Sequence, residues 1–351
     1  MTNEIRTERL ILRTPTLADT EAVYEACQDE EIAKWTGIPF PYERANAESF
    51  LTTVTEELTA RGGRNYGVYL SDNQTLVATL ALRKESVGGS VGYWTAPQYR
   101  GQGFMVEAVK AACAYAFETL GWPRIEWRAG VGNWASRKVA WKAGFKFEGV
   151  SRRCEPRSAF RLSQGDDPLM DAWVGSLLPG EKMEPRGRWH GPISGQNVPV
   201  VLADANRPDD LVRQFHQVYG LPVVDAPDAS TDRIHMRMGL ILEETAELVG
   251  AAYGQEAREL IESAWVKALE SDDGTRDIVE IADALADIVY VVYGAALELG
   301  IDLPAVLSQV QASNMSKLMP DGSVKYREDG KVLKGPDFFG PEIAKVLGLG
   351  N

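Results

Sequence analysis

The sequence predicts two domains of different class, an α/β domain followed by an all-helical domain. The chain has 351 residues, more than a single hydrophobic core usually accommodates. Residues 1–178 alternate strand-like and helix-like stretches, whereas long segments with helical periodicity dominate residues 207–351. Between the two, residues 179–206 lose periodicity and collect proline and glycine, which indicates a linker.

The elements can be assigned in chain order. Branched and aromatic residues predict six strands in the first domain, at ERLILR, RNYGVYL, TLVATLALR, GSVGYWT, RIEWRAGV and FKFEGVSRR. Apolar spacing predicts amphipathic helices in the same domain over residues 17–35, 45–62 and 105–121. In the second domain it predicts helices over residues 208–220, 230–254, 256–270 and 276–300.

The net charge of −13 is concentrated in the second domain. Residues 1–178 carry 21 Lys and Arg against 22 Asp and Glu, whereas residues 207–351 carry 13 against 25. A strongly acidic domain repels a phosphate backbone, so a polymeric nucleic-acid partner is disfavoured. No segment has the apolar length needed to span a bilayer, and the N-terminus lacks a secretory pattern. We therefore expect a cytoplasmic protein without a membrane partner.

Two predicted helices of the second domain carry stripes of carboxylates. The stripes consist of Glu243, Glu244 and Glu247 on the first helix and of Glu280, Asp283 and Asp287 on the second. The second helix is otherwise almost wholly apolar and has no basic residue from Ile278 to Leu299. Burying an unpaired carboxylate costs several kcal/mol, so these acids must be exposed, protonated, paired or bound to a cation. Clustered carboxylates suit Mg²⁺ or Mn²⁺, and the alternative is two solvated helix faces.

The order of these acids resembles a known family of enzymes. Glu244-x-x-Glu247, Glu280-x-x-Asp283 and the segment SNMSKLMPDGSVKYREDGKVLKGPDF together resemble the MazG-like and phosphoribosyl-ATP-pyrophosphohydrolase-like all-α nucleotide pyrophosphatases. The resemblance implies Mg²⁺-dependent hydrolysis of a nucleoside triphosphate or related nucleotide to a monophosphate and pyrophosphate. It implies that the six stripe carboxylates hold the metal, directly or through a neighbour, and that the protein is a homo-oligomer through the helical domain. It also implies phosphate or sugar contacts from Asn314, Lys317, Tyr326 and Lys331.

A glycine-containing loop in the first domain has the pattern Gln98-x-x-Gly101-x-Gly103. It lies between a predicted strand and a predicted helix. Glycines let backbone amides approach an anion closely, and the N-terminus of a helix favours negative charge. The loop is therefore a candidate pyrophosphate site, and a simple tight turn is the alternative.

The loop and its surroundings resemble the GNAT superfamily of acetyltransferases, in particular its ribosomal-protein-type N-acetyltransferases. The resemblance extends to RTERLILRTPTLADTEAVYEA and to the segment from Asn133-x-x-Ser136 to Gly144-Phe145. It implies a mixed sheet with helices and acetyl-CoA as donor, bound by Trp94, Thr95, Arg100, Gly101, Gln102, Gly103, Phe104, Met105 and Asn133. Ser136 matches the position of the acid that meets the leaving thiolate. Glu155 is the candidate base, or else a solvated carboxylate, and no tyrosine is assigned as the acid.

The two motif sets favour a bifunctional enzyme, an acetyltransferase fused to a nucleotide pyrophosphohydrolase. The acetyl acceptor is an amine: a protein N-terminus, a small amine or an amino-sugar compound. Two alternatives stay open. The first domain can instead be a module that binds acetyl-CoA without turnover, or the helical domain can be a dimerisation scaffold.

Overall fold

An eight-stranded sheet organises the N-terminal half of the protein in the computed structural model, which describes residues 4–193, 196, 198–200, 202–326 and 332–349. The strands are β1 (Ile5–Arg6), β2 (Leu10–Arg13), β3 (Arg64–Leu70), β4 (Leu76–Lys84), β5 (Gly89–Thr95), β6 (Ile125–Gly130), β7 (Lys146–Pro156) and β8 (Leu169–Leu177). Their spatial order is β1-β2-β3-β4-β5-β6-β8-β7, and each neighbouring pair is antiparallel except β5 and β6. The prediction of a mixed sheet is confirmed.

The parallel pair β5–β6 is short. Its register joins Gly89–Val91 to Ile125–Trp127, and β5 then continues to Thr95 without β6 as a partner. Over the same stretch β6 remains paired with β8 as far as Gly130. The sheet therefore opens between β5 and β6, and this opening positions the site described below.

Helices cover both faces of the sheet. They are α1 (Thr20–Ala26), α2 (Glu30–Trp35), α3 (Arg44–Ser49), α4 (Thr55–Ala60), α5 (Phe104–Glu118), α6 (Trp134–Lys142) and α7 (Ala159–Ser163). Helix α5 buries Ala108 and Ala112 in one core cluster with Leu80 of β4. On the other face, Val23 of α1 shares a second cluster with Tyr69 of β3. The two clusters hold the sheet between two helical layers.

The structure differs from the sequence-based prediction at several places in this domain, and β1, α6 and α7 are among the elements that were not predicted. The helix predicted over residues 17–35 is interrupted, because Asp29 adopts an extended backbone and its carboxylate accepts a hydrogen bond from the Ile32 amide at 2.9 Å. Strand β8 was not predicted, since Asp171, Gly175 and Ser176 lower its strand propensity. It nevertheless lies inside the sheet, between β6 and β7.

The predicted linker is irregular, but it is packed against both halves of the chain. Trp189 lies beside Trp134 and Trp141 of α6, with ring centroids 6.0 and 5.4 Å apart. Arg137 of α6 forms an ion pair with Asp204 at 3.6 Å, and each side chain is only 9% exposed. These contacts bring the connecting segment onto the helix that carries Ser136.

The C-terminal half is helical, as predicted. Its helices are α8 (Pro208–Val218), α9 (Thr231–Tyr253), α10 (Gln255–Glu270), α11 (Ile278–Glu298), α12 (Leu303–Met315) and α13 (Ile343–Leu347). Tyr219, Ala312, Met315 and Leu318 form its buried cluster together with Leu202 of the connecting segment. Helix α12 therefore belongs to the interior of this half.

Helix α11 is different from α12. Of its 21 residues only Ala296 is buried, and Val279, Tyr290 and Leu297 are 71%, 82% and 80% exposed. A helix that is apolar on nearly all sides is normally buried. Among the described residues no single helix is long and apolar enough to cross a membrane; α11 and α12 meet that criterion only as a pair bent by 112°.

Candidate active site

A cavity of about 1200 Å³ lies where β5 and β6 separate. Its lining includes the ends of β4, β5 and β6, the loop before α5, and residues of α2, α6 and β7. Most of the residues predicted to bind acetyl-CoA line it: Trp94, Thr95, Arg100, Gly101, Gly103, Phe104, Met105 and Asn133. The structure thus brings residues from distant parts of the sequence to one opening in the sheet.

Gln102 is the exception among the predicted cofactor residues. It is absent from the lining of the cavity, and its side-chain amide donates to the Gln98 carbonyl at 3.1 Å. Its own carbonyl accepts from Arg9 Nη1 at 3.1 Å. The Gln102 side chain therefore holds the loop together, and only its neighbours face the cavity.

The glycines of the loop have backbone conformations that favour glycine. Gly101 and Gly103 have φ angles of 78° and 82°, and Gly103 directly precedes α5. The Arg100 guanidinium binds Asp29 at 2.5 Å, which ties the loop to the start of α2. Desolvation raises the pKa of Asp29, but the bond and charge of Arg100 together with hydrogen bonds from backbone amides of α2 outweigh it, and the pKa is lowered overall. The loop thus presents the N-terminus of a 15-residue helix to the cavity.

Ser136 is fixed in the cavity by a network of hydrogen bonds. Its amide donates to the Asn133 side chain at 3.1 Å, which caps α6. Its hydroxyl accepts from Trp127 Nε1 at 3.0 Å and donates to the Tyr93 hydroxyl at 3.2 Å. Tyr93 in turn donates to the Ser136 carbonyl at 3.1 Å. The predicted acid therefore lies at the separation of β5 and β6.

Tyr93 is a residue that sequence analysis did not single out. Burial raises its pKa well above the ordinary value of a tyrosine, so the phenol stays protonated at neutral pH. The alternation of side chains along a strand could have identified Tyr93, because Val91, Tyr93 and Thr95 point to one face of β5. What the sequence does not reveal is that α6 brings Ser136 to that face.

Glu155 also lines the cavity. It lies near the end of β7, opposite Met170 of β8, and its carboxylate is 3.6 Å from Arg128 Nη1. The side chain is 30% exposed. A carboxylate that is accessible from the cavity can accept a proton from a bound amine.

The two carboxylate stripes of the helical half do not meet within one chain. Glu243, Glu244 and Glu247 lie on α9 and are exposed, as are Glu280, Asp283 and Asp287 on α11. Among the described residues no three Asp, Glu, His or Cys side chains are arranged to hold a metal ion. Glu247 instead lies 3.4 Å from Arg258 of α10. The oxygen donors suit a hard cation, but a single chain does not assemble them, so the predicted metal site stays a prediction.

The predicted phosphate-contacting residues are only partly brought together. Asn314 Oδ1 accepts from Lys317 Nζ at 2.9 Å at the end of α12. Desolvation and the nearby charge of Lys334 lower the pKa of Lys317. Tyr326 donates to the Tyr219 carbonyl at 2.9 Å, while Lys331 lies outside the described residues. Asn314 and Lys317 thus form one polar unit beside the buried cluster.

Two segments of this chain match models of known protein families. Residues 9–146 match the family model described as "Acetyltransferase (GNAT) domain", and residues 212–314 match "Phosphoribosyl-ATP pyrophosphohydrolase". The N-acetyltransferase YoaA of Bacillus subtilis, which is uncharacterized, is 29% identical over 42% of this chain and 86% of its own length. The uncharacterized N-acetyltransferase p20 of Bacillus licheniformis is 26% identical over 50% of this chain and 96% of its own. A GNAT-family acetyltransferase structure from Bacillus anthracis is 24% identical, with a TM-score of 0.43, over 50% of this chain and 98% of its own.

Proposed function

Because residues 9–146 form a GNAT acetyltransferase domain and residues 212–314 a domain of the phosphoribosyl-ATP pyrophosphohydrolase type, we propose that the chain is a bifunctional enzyme. The first domain transfers an acetyl group from acetyl-CoA to an amine. The second hydrolyses a nucleoside triphosphate or related nucleotide to a monophosphate and pyrophosphate. The observation that carries the first assignment is the cavity that unites the glycine loop, Ser136 and Glu155.

The glycine loop is suited to bind the pyrophosphate of acetyl-CoA. Gly101 and Gly103 carry no side chain that would keep an anion from their amides, and α5 begins directly after them. Asn133 and Trp94 line the same cavity on either side of the opening. A donor molecule that runs from the loop toward Ser136 would bring its thioester to the separation of β5 and β6.

Acetyl transfer then requires one proton to leave the amine and one to reach the thiolate. The amine nitrogen attacks the thioester carbonyl, the C–S bond breaks, and the Glu155 carboxylate accepts the proton lost by the amine. The Ser136 hydroxyl supplies a proton to the departing sulfur and regains one from solvent, while Glu155 releases to solvent the proton that it accepted. The hydrogen bond from Trp127 to Ser136 Oγ favours the oxyanion that this step leaves. Tyr93 stays a protonated partner of Ser136 throughout.

This activity is tested by measuring free CoA over a panel of amines. The proposal predicts acetyl-CoA-dependent release of CoA with at least one amine, with the acetyl group on its nitrogen. Calorimetric binding of acetyl-CoA with no CoA release across the panel would favour the alternative that the domain only binds acetyl-CoA. Absence of both binding and release would overturn the assignment.

For the helical domain we propose that a second copy of the chain completes the metal site. The observation that carries this proposal is α11, which holds Glu280, Asp283 and Asp287 on a helix that is exposed along almost its whole length. Burying a Val or Leu side chain contributes about 1.5–3 kcal/mol. Packing of α11 against a partner would cover the apolar residues and confine the acids to a narrow cleft.

The assembled acids would hold Mg²⁺ or Mn²⁺, which neutralises the phosphates of the bound nucleotide. Asn314, Lys317, Tyr326 and Lys331 would contact its phosphates or sugar. Within the described part of one chain, the acids of α9 and α11 are exposed and form no group that could hold a metal ion. The helical domain would therefore hydrolyse nucleotides only when two chains are associated.

The second activity is tested with a panel of nucleoside triphosphates, including dUTP, dCTP and the purine nucleotides. The proposal predicts pyrophosphate release that requires Mg²⁺ or Mn²⁺ and that chelation abolishes. A divalent cation should also raise the melting temperature of the protein, because a ligand that binds only the folded state stabilises it. A dimer without either effect would favour the alternative of a dimerisation scaffold.

A further inference from the structure

Among the described residues, one arginine of the cavity has no ion-pair partner. Four arginines line the cavity: Arg83, Arg100, Arg124 and Arg128. Arg100 binds Asp29, Arg124 binds Glu126 and Glu148, and Arg128 lies by Glu126 and Glu155. Within the part of the chain that the structure describes, Arg83 forms neither an ion pair nor a hydrogen bond with any side chain.

The Arg83 side chain is exposed and lies beside the backbone of β5. Arg83 is opposite Ser90 in the β4–β5 ladder, and its side chain extends over Gly92. A Cβ added at Gly92 would lie 2.4 Å from Nη1 of Arg83, which is far too close. Gly92 is in a strand and its φ angle is not in the positive region, so a side chain at residue 92 would compete with the flexible end of Arg83 for the same space. The absence of a side chain at residue 92 thus makes room for the guanidinium.

Arg83 faces the part of the cavity that lies away from α5. The preceding residue, Leu82, is buried in the core cluster with α5, and strand alternation directs Arg83 to the opposite face. The cavity is bounded on that side by Trp35 and Glu31 of α2, and the Trp35 indole is fixed by a 3.0 Å bond to Glu31. Glu155 lines the same cavity and is near enough for its charge to act on Arg83. The region therefore combines a candidate base with a cation that no carboxylate contacts directly.

We propose that Arg83 binds an oxyanion of the acetyl acceptor, so that the acceptor is a small amine bearing a carboxylate or phosphate group near its nitrogen. This inference rests on the proposed acetyltransferase function. A guanidinium presents paired donors that match a carboxylate or phosphate. An acceptor with its oxyanion on Arg83 and its amine toward Glu155 would be held at both ends.

A competing explanation is that Arg83 only supplies positive charge for Glu85 and Glu155. Desolvation by the surrounding walls lowers the pKa of Arg83, and these two carboxylates oppose that effect without contacting the guanidinium. If charge balance were its role, loss of Arg83 would change the pH profile of acetyl transfer for every amine alike. An acceptor contact instead affects only amines that carry an anion.

The test compares matched pairs of amines, L-methionine with L-methioninamide and glucosamine 6-phosphate with glucosamine. For whichever anionic member is acetylated, Arg83→Gln should raise KM about tenfold to hundredfold. KM for the member of each pair that lacks the carboxylate or phosphate should not change, and neither should the pH profile. Gly92→Ala should reproduce this selective loss by displacing the guanidinium. The control Arg61→Gln removes an exposed arginine outside the cavity and should have no effect.

Binding of the same four compounds to the enzyme with CoA, followed by calorimetry, separates this inference from the proposed function. Selective loss of anionic-amine binding in Arg83→Gln supports the oxyanion site even if no amine is turned over. Equal KM and binding in wild type and Arg83→Gln would overturn it. It is equally overturned if only a peptide N-terminus is acetylated and Arg83→Gln leaves that rate unchanged.

Discussion

The two halves of the chain differ in how completely they bury their apolar residues. In the N-terminal half, both faces of the sheet are covered by helices, and residues such as Leu80 and Ala112 are fully buried. In the C-terminal half, α11 exposes Val279, Tyr290 and Leu297. The first half forms its cavity within one chain, whereas the second half leaves its acidic residues apart. We therefore expect one chain to be sufficient for the proposed acetyltransferase site and a second chain to be needed for the proposed nucleotide site.

The halves are also joined more closely than a flexible linker would allow. Asp204, just before α8, pairs with Arg137 on the helix that carries Ser136. His190 lies 3.3 Å from Asp302, the residue that caps α12, and its carbonyl accepts a hydrogen bond from Ser308 at 2.9 Å. The connecting segment therefore contributes to the packing of both halves.

The largest effect is expected from removing the proposed metal ligands. Glu247→Gln combined with Asp283→Asn should reduce pyrophosphate release by about 10³-fold or more, because the charge of a bound metal is central to such hydrolysis. Acetyl transfer should be unchanged, since both residues lie outside the cavity. The control Glu256→Gln with Glu270→Gln removes two exposed acids of α10 and should retain both activities. Unchanged pyrophosphate release in the first variant would remove these ligand assignments.

The next largest effect is expected at the ion pair between the connecting segment and α6. Asp204→Asn leaves the buried Arg137 without its counter-charge and should lower the free energy of unfolding by about 3 kcal/mol. Chemical denaturation measures this change. Arg153 and Asp167 form an exposed pair, so Asp167→Asn should change the free energy of unfolding far less than Asp204→Asn does. Equal losses in the two variants would show that the connecting segment is not an integral part of the fold.

A smaller effect is expected from the acid of the first half. Ser136→Ala removes the proposed proton donor and should lower kcat about tenfold to hundredfold, with little change in the KM for acetyl-CoA. Tyr93→Phe retains Ser136 and should lower kcat by less than Ser136→Ala does. Steady-state kinetics at neutral pH distinguish the two. A wild-type kcat in Ser136→Ala would exclude Ser136 as the acid.

The smallest effect is a pH-dependent contribution to stability. Hydrogen bonds from Arg124 and Ser176 lower the pKa of Glu148 from its ordinary value of 4.5 to about 2. A carboxylate whose pKa is lowered by folding stabilises the folded state at pH values above its ordinary pKa. This stabilisation disappears as the pH falls through about 2. Glu148→Gln should therefore destabilise the protein at pH 7 by about 1 kcal/mol, since the pair is partly exposed. Thermal unfolding of both proteins should converge near pH 2.

The sequence predicted individual helices and strands better than it predicted how these elements pack against one another. Strand β3 has the predicted bounds, and the ends of α9, α10 and α11 lie within two residues of the predicted ends. These elements were predicted well because side-chain periodicity is a local property of the sequence. Strand β8 was missed, since its place inside the sheet depends on long-range pairing. Tyr93 was missed for the same reason, because only α6 brings Ser136 to it. The two acidic stripes were identified, but whether they meet depends on contacts that no single helix encodes.

The central claim is that one chain suffices for acetyl transfer and that two are needed for nucleotide hydrolysis. Leu285 and Val289 are exposed on the side of α11 opposite its acids. The variant Leu285→Asp/Val289→Asp, measured by light scattering and by both assays on the same sample, tests this claim most directly. We expect a monomer that releases CoA at the wild-type rate and no pyrophosphate. A monomer that still releases pyrophosphate would contradict the claim.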